Sequence, residues 1–260
     1  MDWIKALILG IVQGLTEFLP ISSSGHLEIG KSLLNIDPEG SLTFTVVVHG
    51  ATVVSTIVVF RKDIYRLLTG FFRMEWNAST QYISKLVFSM IPVVVLGLFF
   101  EQQIEQFFTG NLVLVGAMLL ITALLLLFSH FFQARQHSIS FPRAFVIGIA
   151  QALAVMPGIS RSGATISTGL ILGGKREEVT RFSFLMVLLP IIGANIKDMM
   201  DYSASTFSDV QLFPLLVGFV AAFLSGLMAC TWMIRIVNRG RLIYFAIYCI
   251  LVGLLAILLG

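Results

Sequence analysis

Apolar residues along this chain come in long runs rather than in alternation. The run from Leu112 to Phe128 holds no charged side chain, whereas a membrane β-strand alternates apolar with polar positions. Helices satisfy their backbone groups within the segment and are the predicted element. The fold class is therefore all-α, a polytopic membrane helical bundle. Six segments are predicted to span the membrane: about 42–60, 85–100, 111–131, 181–198, 212–234 and 242–259. Each is near the roughly 20 residues that cross about 30 Å of hydrocarbon, the second being short.

Two more apolar stretches are broken in the middle. The first covers about 4–34 and is split by Phe18-Leu19-Pro20-Ile21-Ser22-Ser23-Ser24-Gly25-His26. The second covers about 144–173 and is split by Met156-Pro157-Gly158-Ile159-Ser160-Arg161-Ser162-Gly163. Proline and glycine interrupt helices, and each half is too short to cross alone. Each stretch is predicted to be a re-entrant helix–loop–helix hairpin. Membranes tolerate such irregular backbone only where it is buried in protein or lines a polar cavity.

Charge assigns the sides. With both hairpins re-entrant, one face collects Arg61, Lys62, Arg66, Arg73, Lys85, Arg135, Arg143, Lys175, Arg176, Arg181, Arg235, Arg239 and Arg241, and the other holds only Lys5, Lys31 and Lys197. That bias marks the first face as cytoplasmic and puts both termini outside. The first hairpin then enters from outside and the second from the cytoplasm. The hairpins also match each other at an offset of 138: Gly10-Ile11 with Gly148-Ile149, Gln13 with Gln151, Leu15 with Leu153, Ser22 with Ser160, Ser24 with Ser162, Gly25 with Gly163 and Phe44 with Phe182. One hairpin and three spans per half invert the second half relative to the first. The expectation is a single membrane domain, 1–260, built from an inverted-topology repeat of about 1–131 and about 139–260, with the site at their interface.

Composition agrees: 57% of the residues are hydrophobic and 12% charged, about half the charge of a soluble domain, and no stretch is polar enough to be a separate domain. Cys230 and Cys249 lie inside apolar runs and are read as core residues. The N-terminal stretch has no basic n-region and is interrupted by Gln13 and Glu17, so it is read as mature protein rather than signal peptide.

Ionisable groups deep in an apolar layer are costly and mark function. Here they are Glu17, His26, His49 and Arg161, with Gln13 as a neutral neighbour. Gln13 and Glu17 are four apart and share one helix face. A glutamate there can bind a divalent cation, act as a general base, or pair structurally with Arg161. Ser22-Ser23-Ser24-Gly25-His26 and Ser160-Arg161-Ser162-Gly163-Ala164-Thr165 each open a helix. Serine commonly caps such an end. Free N–H groups, the positive helix terminus and several hydroxyls also make an anion site, and Arg161 adds a planar fork matched to phosphate oxygens. Two such ends brought together suit a phosphate or diphosphate. His26 can serve as nucleophile, general acid, metal ligand or structural residue. His49 is read either as an interhelical hydrogen-bonding residue or as part of the site. His130 and His137 are read as surface residues. Asn195, Lys197, Asp198 and Trp3 are read as anchors at a membrane edge.

Together these residues carry a family resemblance. Gln13-Gly14-Leu15-Thr16-Glu17-Phe18-Leu19-Pro20-Ile21-Ser22-Ser23-Ser24-Gly25-His26 resembles the first signature of the bacterial undecaprenyl-diphosphate phosphatases of the bacitracin-resistance type. Pro157-Gly158-Ile159-Ser160-Arg161-Ser162-Gly163-Ala164-Thr165 resembles the second, and the likeness covers essentially the whole chain. The resemblance implies six spans with two re-entrant hairpins. It implies hydrolysis of undecaprenyl diphosphate to the monophosphate, which recycles the lipid carrier for peptidoglycan synthesis and confers bacitracin resistance, with bacitracin competing for the substrate. It also implies a divalent cation (Mg2+ or Ca2+) and a site open to the periplasmic side of a bacterial inner membrane. By position it assigns Glu17, His26, Ser22, Ser23 and Arg161 to catalysis and Ser160, Ser162, Thr165 and Ser24, with Arg161, to phosphate binding. Glu17 and Gln13 become the metal ligands. Many members have Glu in place of Gln13 and Gln in place of His49, so His49 is an accessory residue that partly compensates for a missing carboxylate. The nucleophile stays open among Ser23, Ser22, His26 and water. Inverted repeats with broken helices also build transporters, so a transporter or lipid flippase is the rival reading. The apolar surface fits lipid and a homodimer interface equally.

Overall fold

The computed structural model describes residues 1–36, 42–100, 103–104, 111–132, 136–193 and 212–260. Among them the regular elements are helices, with one isolated bridge between His137 and Gly174. They run α1 Trp3–Phe18, α2 Ser23–Leu33, α3 Leu42–Val59, α4 Arg61–Phe71, α5 Ala78–Phe99, α6 Leu112–Phe131, α7 Phe141–Leu153, α8 Arg161–Ile171, α9 Arg176–Met186, α10 Leu212–Asn238 and α11 Ile243–Leu259.

Local chemistry sets the breaks. Helix α1 stops ahead of Pro20, which drives the preceding residue out of the helical region; Leu19 is extended, at φ −72° and ψ 143°. Helix α7 carries proline in its first turn, at Pro142, where the missing N–H is harmless. It ends before Pro157-Gly158, and Gly158 takes φ +96° with its Cα packed against the Val115 carbonyl, a place with no room for a Cβ. Ser22 and Ser160 then cap α2 and α8 by accepting hydrogen bonds from Gly25 N and Gly163 N, at 3.3 and 3.1 Å.

The offset of 138 recurs in the helices. Added to the bounds of α2, 23–33, it gives 161–171, the bounds of α8. Added to α5, 78–99, it gives 216–237, which lies inside α10. The packing is crossed: α1 lies along α10 from the other half, and its counterpart α7 lies along α5. Small residues permit this close approach. A Cβ on Gly10 would come 2.5 Å from the Gly218 carbonyl oxygen, and one on Gly148 would come 2.1 Å from the Ser89 carbonyl oxygen.

Helices α5, α6 and α10 are long and apolar enough to cross a membrane, and α3 with α4 forms a pair bent by 74°. Helix α6 buries Leu119 and Leu126 fully while turning Leu124 and Phe131 outward, at 65% and 77% exposure, as an apolar solvent allows. Cys230 and Cys249 are buried and unpaired in the main core.

Three expectations change. The span placed at 85–100 begins seven residues earlier, because Asn77 caps Ser79 N and Thr80 N at 2.9 and 3.0 Å. The preceding stretch, read as a loop, contains the amphipathic helix α4. The span placed at 181–198 is interrupted: α9 ends at Met186, Val187 turns, and helix resumes over 188–193. Pro190 is the cause, since it cannot donate to the Met186 carbonyl and its ring crowds that group. Residues 194–198, with Asn195, Lys197 and Asp198, lie outside the described residues, as does Arg135.

Gly10→Ala or Gly148→Ala should lower stability by about 1–3 kcal/mol through overpacking. Gly50→Ala, in open space on α3, should be neutral or stabilising by up to about 1 kcal/mol. Thermal unfolding in one detergent measures all three; equal melting temperatures would contradict the close-approach reading.

Candidate active site

The two breaks meet. Ser162 Oγ donates to the Leu19 carbonyl at 3.2 Å, and the Cα of Gly158 packs over Gly25. Thr122 of α6 fastens the second break by donating to the Gly158 carbonyl at 3.2 Å and accepting from Ser160 N at 2.9 Å. The N-terminal ends of α2 and α8 are thereby joined at one centre.

Glu17 occupies that centre. It stands on the last turn of α1 with a side chain 5% exposed. Its Oε1 accepts a short hydrogen bond from Arg161 Nη2 at the start of α8. Its Oε2 accepts from Ser23 Oγ at 2.6 Å and from Gln13 Nε2 at 2.9 Å. His49 Nε2 on α3 lies 3.9 Å from the same oxygen. One carboxylate therefore gathers groups from α1, α2, α3 and α8. A hydroxyl donating to a carboxylate at this distance is the geometry of a nucleophile beside its base.

The remaining residues divide. His26 donates from Nδ1 to the Ser22 carbonyl at 2.8 Å, which leaves Nε2 to accept from the Tyr248 hydroxyl, also at 2.8 Å. The two rings stack with 5.6 Å between centroids. His26 thus makes its contacts with α11 rather than with Glu17. Ser22 and Ser160 use their hydroxyls as caps, each also within 3.3 Å of a second serine, Ser24 or Ser162. Thr165 turns its hydroxyl back to the Arg161 carbonyl at 2.9 Å, inside its own helix. Ser22 holds φ +68°, a conformation that serine rarely adopts, where Ser160 is ordinary at −73°.

Beside the Glu17–Arg161 pair is a cleft of about 20 Å³ lined also by Thr52, Thr56, Ser162 and Ser183, room for about one water. Thr52 and Thr56 went unremarked in the sequence, although they follow His49 at i+3 and i+7 and so share its helix face. Tyr248 and Thr122 lie in apolar runs with no motif around them, and nothing in the sequence marks them.

Among the described residues no group of three or more His, Cys, Asp or Glu is poised for a metal ion. Gln13 Oε1 is nevertheless buried without a hydrogen-bond partner. An orphaned hard oxygen next to a carboxylate suits an oxygen-seeking divalent cation.

Fold and site together define a polytopic helical membrane protein with a carboxylate, hydroxyl and guanidinium centre between two helix N-termini. The chain belongs to the family described as Bacitracin resistance protein BacA, whose profile matches residues 6–255. It is 53% identical over 260 residues to an undecaprenyl-diphosphatase of Parabacteroides distasonis, covering 99% of this chain and 98% of the relative. It is 50% identical over 263 residues to one of Bacteroides fragilis, covering 100% and 99%. A relative of the same name from Korarchaeum cryptofilum is 39% identical over 263 residues, covering 98% of each chain.

Removing one partner of the Glu17–Arg161 pair should destabilise the protein by about 1.5–3 kcal/mol, since the carboxylate is buried and the guanidinium only half-buried. The double variant Glu17→Gln/Arg161→Met should lose less than the two single losses added together. Denaturation of the four proteins in detergent measures the coupling, and strict additivity would show that the pair does not act as one.

Proposed function

We propose that this chain hydrolyses undecaprenyl diphosphate to undecaprenyl phosphate and inorganic phosphate, returning the lipid carrier to peptidoglycan synthesis. Its relatives bear the name of that activity over their full length. The observation that carries the chemistry is the Ser23–Glu17 hydrogen bond of 2.6 Å, within reach of a guanidinium suited to phosphate.

The proposed sequence starts by breaking the ion pair. The terminal phosphate takes Arg161 from Glu17, which leaves the carboxylate free as a base, and the small cleft widens to admit it. Ser23 Oγ attacks the terminal phosphorus while its proton passes to Glu17. The bond to the bridging oxygen breaks, and the electron pair leaves with undecaprenyl phosphate. Water then attacks the phosphoserine, with His26 taking the water's proton through Nε2 once Tyr248 moves aside. The bond between phosphorus and Ser23 Oγ breaks, its electron pair stays on Oγ, and Glu17 returns the proton to that oxygen as inorganic phosphate leaves. Ser160, Ser162, Ser24, Thr165 and the free N–H groups of α2 and α8 line the anion's side. Glu17 and Gln13 would hold the divalent cation, Mg2+ or Ca2+. When bound, it would neutralise charge on the diphosphate oxygens.

The proposed layout keeps both broken stretches re-entrant in an inverted repeat, with the termini and active site facing the outer side of the bacterial inner membrane. The equal bounds of α2 and α8 at the offset of 138 and the thirteen-to-three bias of basic residues support it. Bacitracin then competes by taking the exposed diphosphate.

With radiolabelled lipid diphosphate under single turnover, Ser23→Ala should form no phosphoenzyme and lose about 10³-fold or more in kcat. His26→Ala should accumulate phosphoenzyme on Ser23. An active Ser23→Ala protein would sink the serine nucleophile and leave water in its place.

A chelator should abolish phosphate release. Gln13→Glu, by adding a second carboxylate, should lower the cation concentration for half-maximal rate by about tenfold. A release rate unchanged by the chelator would remove the cation from the proposal.

A further inference from the structure

Apart from the Glu17 centre, the chain holds a second concentration of charge at the turn between α10 and α11. Trp232, Arg235 and Arg239 recur at i, i+3 and i+7 and share one face at the end of α10. The helix closes with Gly240 at φ +68°. Gly240 N donates to the Val237 carbonyl at 2.9 Å, and Arg241 N donates to the Ile236 carbonyl at 3.3 Å. This pair of bonds is a Schellman cap, and it folds Arg241 back against the helix end. The Arg176 guanidinium lies against Gly240, where an added Cβ would be 3.0 Å from Nη2. The turn is therefore held in one shape.

Between the helices at this turn is a cavity of about 390 Å³, lined by Trp232, Arg235, Arg239, Arg241, Tyr244 and Phe245, with Ile236. It lies within the roughly 300–1,000 Å³ usual for ligand pockets. Among the described residues the ion pairs use Lys31, His49, Arg161 and Arg181 as their cations, so none of the three lining arginines has a carboxylate partner. The C-terminal end of α10 attracts cations, yet that field leaves the guanidinium forks free. Three like charges around one cleft repel one another until an anion sits among them. The rest of the wall is aromatic and aliphatic, which an inorganic anion cannot use. Trp and Tyr of this kind sit at headgroup depth, and basic pockets between membrane helices hold lipid headgroups.

We infer that the α10–α11 turn is a binding site for an anionic phospholipid, its phosphate held by Arg235, Arg239 and Arg241 and its glycerol and first methylenes packed on Trp232, Tyr244 and Phe245. None of these residues lines the cleft at Glu17. The site is separate from the reaction centre and anchors the far end of α10, the helix on which α1 is packed.

Native mass spectrometry of the purified full chain, given phosphatidylglycerol or phosphatidylcholine, tests this. The protein should retain phosphatidylglycerol about tenfold more tightly, and millimolar inorganic phosphate should not displace it. The triple variant Arg235→Gln/Arg239→Gln/Arg241→Gln should lose about tenfold in that retention. A control removing three exposed basic residues on and after α4, Lys62→Gln/Arg66→Gln/Arg73→Gln, should stay within about twofold. Trp232→Ala leaves the charge intact and should still weaken retention by about threefold, so it carries the test if the triple variant does not fold. Equal retention of the two lipids, equal losses in the two triple variants, displacement by phosphate, or an unaffected Trp232→Ala protein would each overturn the inference.

Discussion

A buried backbone carbonyl or amide without a partner is very unfavourable, and each break in this chain frees several of them. Partners within the breaks and on α6 and α11 meet that demand. The Leu19 carbonyl takes its hydrogen from Ser162, the Gly158 carbonyl takes one from Thr122, and the Pro20 carbonyl is approached by Cys249 Sγ at 3.6 Å. The Leu19 carbonyl also accepts from Ile21 N at 2.8 Å within its own break. The contact of Ser162 with Leu19 also brings two helix N-termini to one point, a geometry that suits an anion.

The Glu17–Arg161 pair belongs to that closure. Glu17 is on the first broken stretch and Arg161 on the second, and the buried carboxylate needs the half-buried guanidinium beside it. In the proposed reaction a phosphate replaces Glu17 as the partner of Arg161. Binding then exchanges one ion pair for another and leaves the carboxylate beside a serine hydroxyl. The proposed reaction thus begins at the bond that joins the two breaks.

Much of this was legible in the sequence, and the reasons differ by residue. Glu17, Ser23 and Arg161 stood out because charge and clustered hydroxyls are rare in apolar stretches. The breaks were legible because Pro20 and Pro157-Gly158 cannot continue a helix. Helix α4 was hidden because its polar residues resemble a loop until their spacing is read as a face. The interruption at Val187 was hidden by an apolar run in which Pro190 was the only signal. Tyr248 and Thr122 were beyond reach, since their roles come from tertiary packing on α6 and α11. The hydroxyls of Ser22, a candidate for catalysis, and of Ser160 and Thr165, candidates for phosphate binding, also have local partners that no motif announces, in capping or in their own helix. Local hydrogen bonds of that kind compete with every distant use of the same atom.

The crossed packing of α1 on α10 also fixes an order of events during synthesis. Helix α1 leaves the ribosome first, yet the face carrying Gly10 and Gly14 has its partner in a helix that begins at Leu212. Helix α7 waits for nothing, because α5 has already been made. The second hairpin can therefore settle as it emerges, while the first must remain unfinished in the bilayer until most of the chain exists. The half of the centre that bears Glu17 and Ser23 is the last to be locked, and a chain stopped short of α10 would hold these two side chains without the helix on which α1 packs.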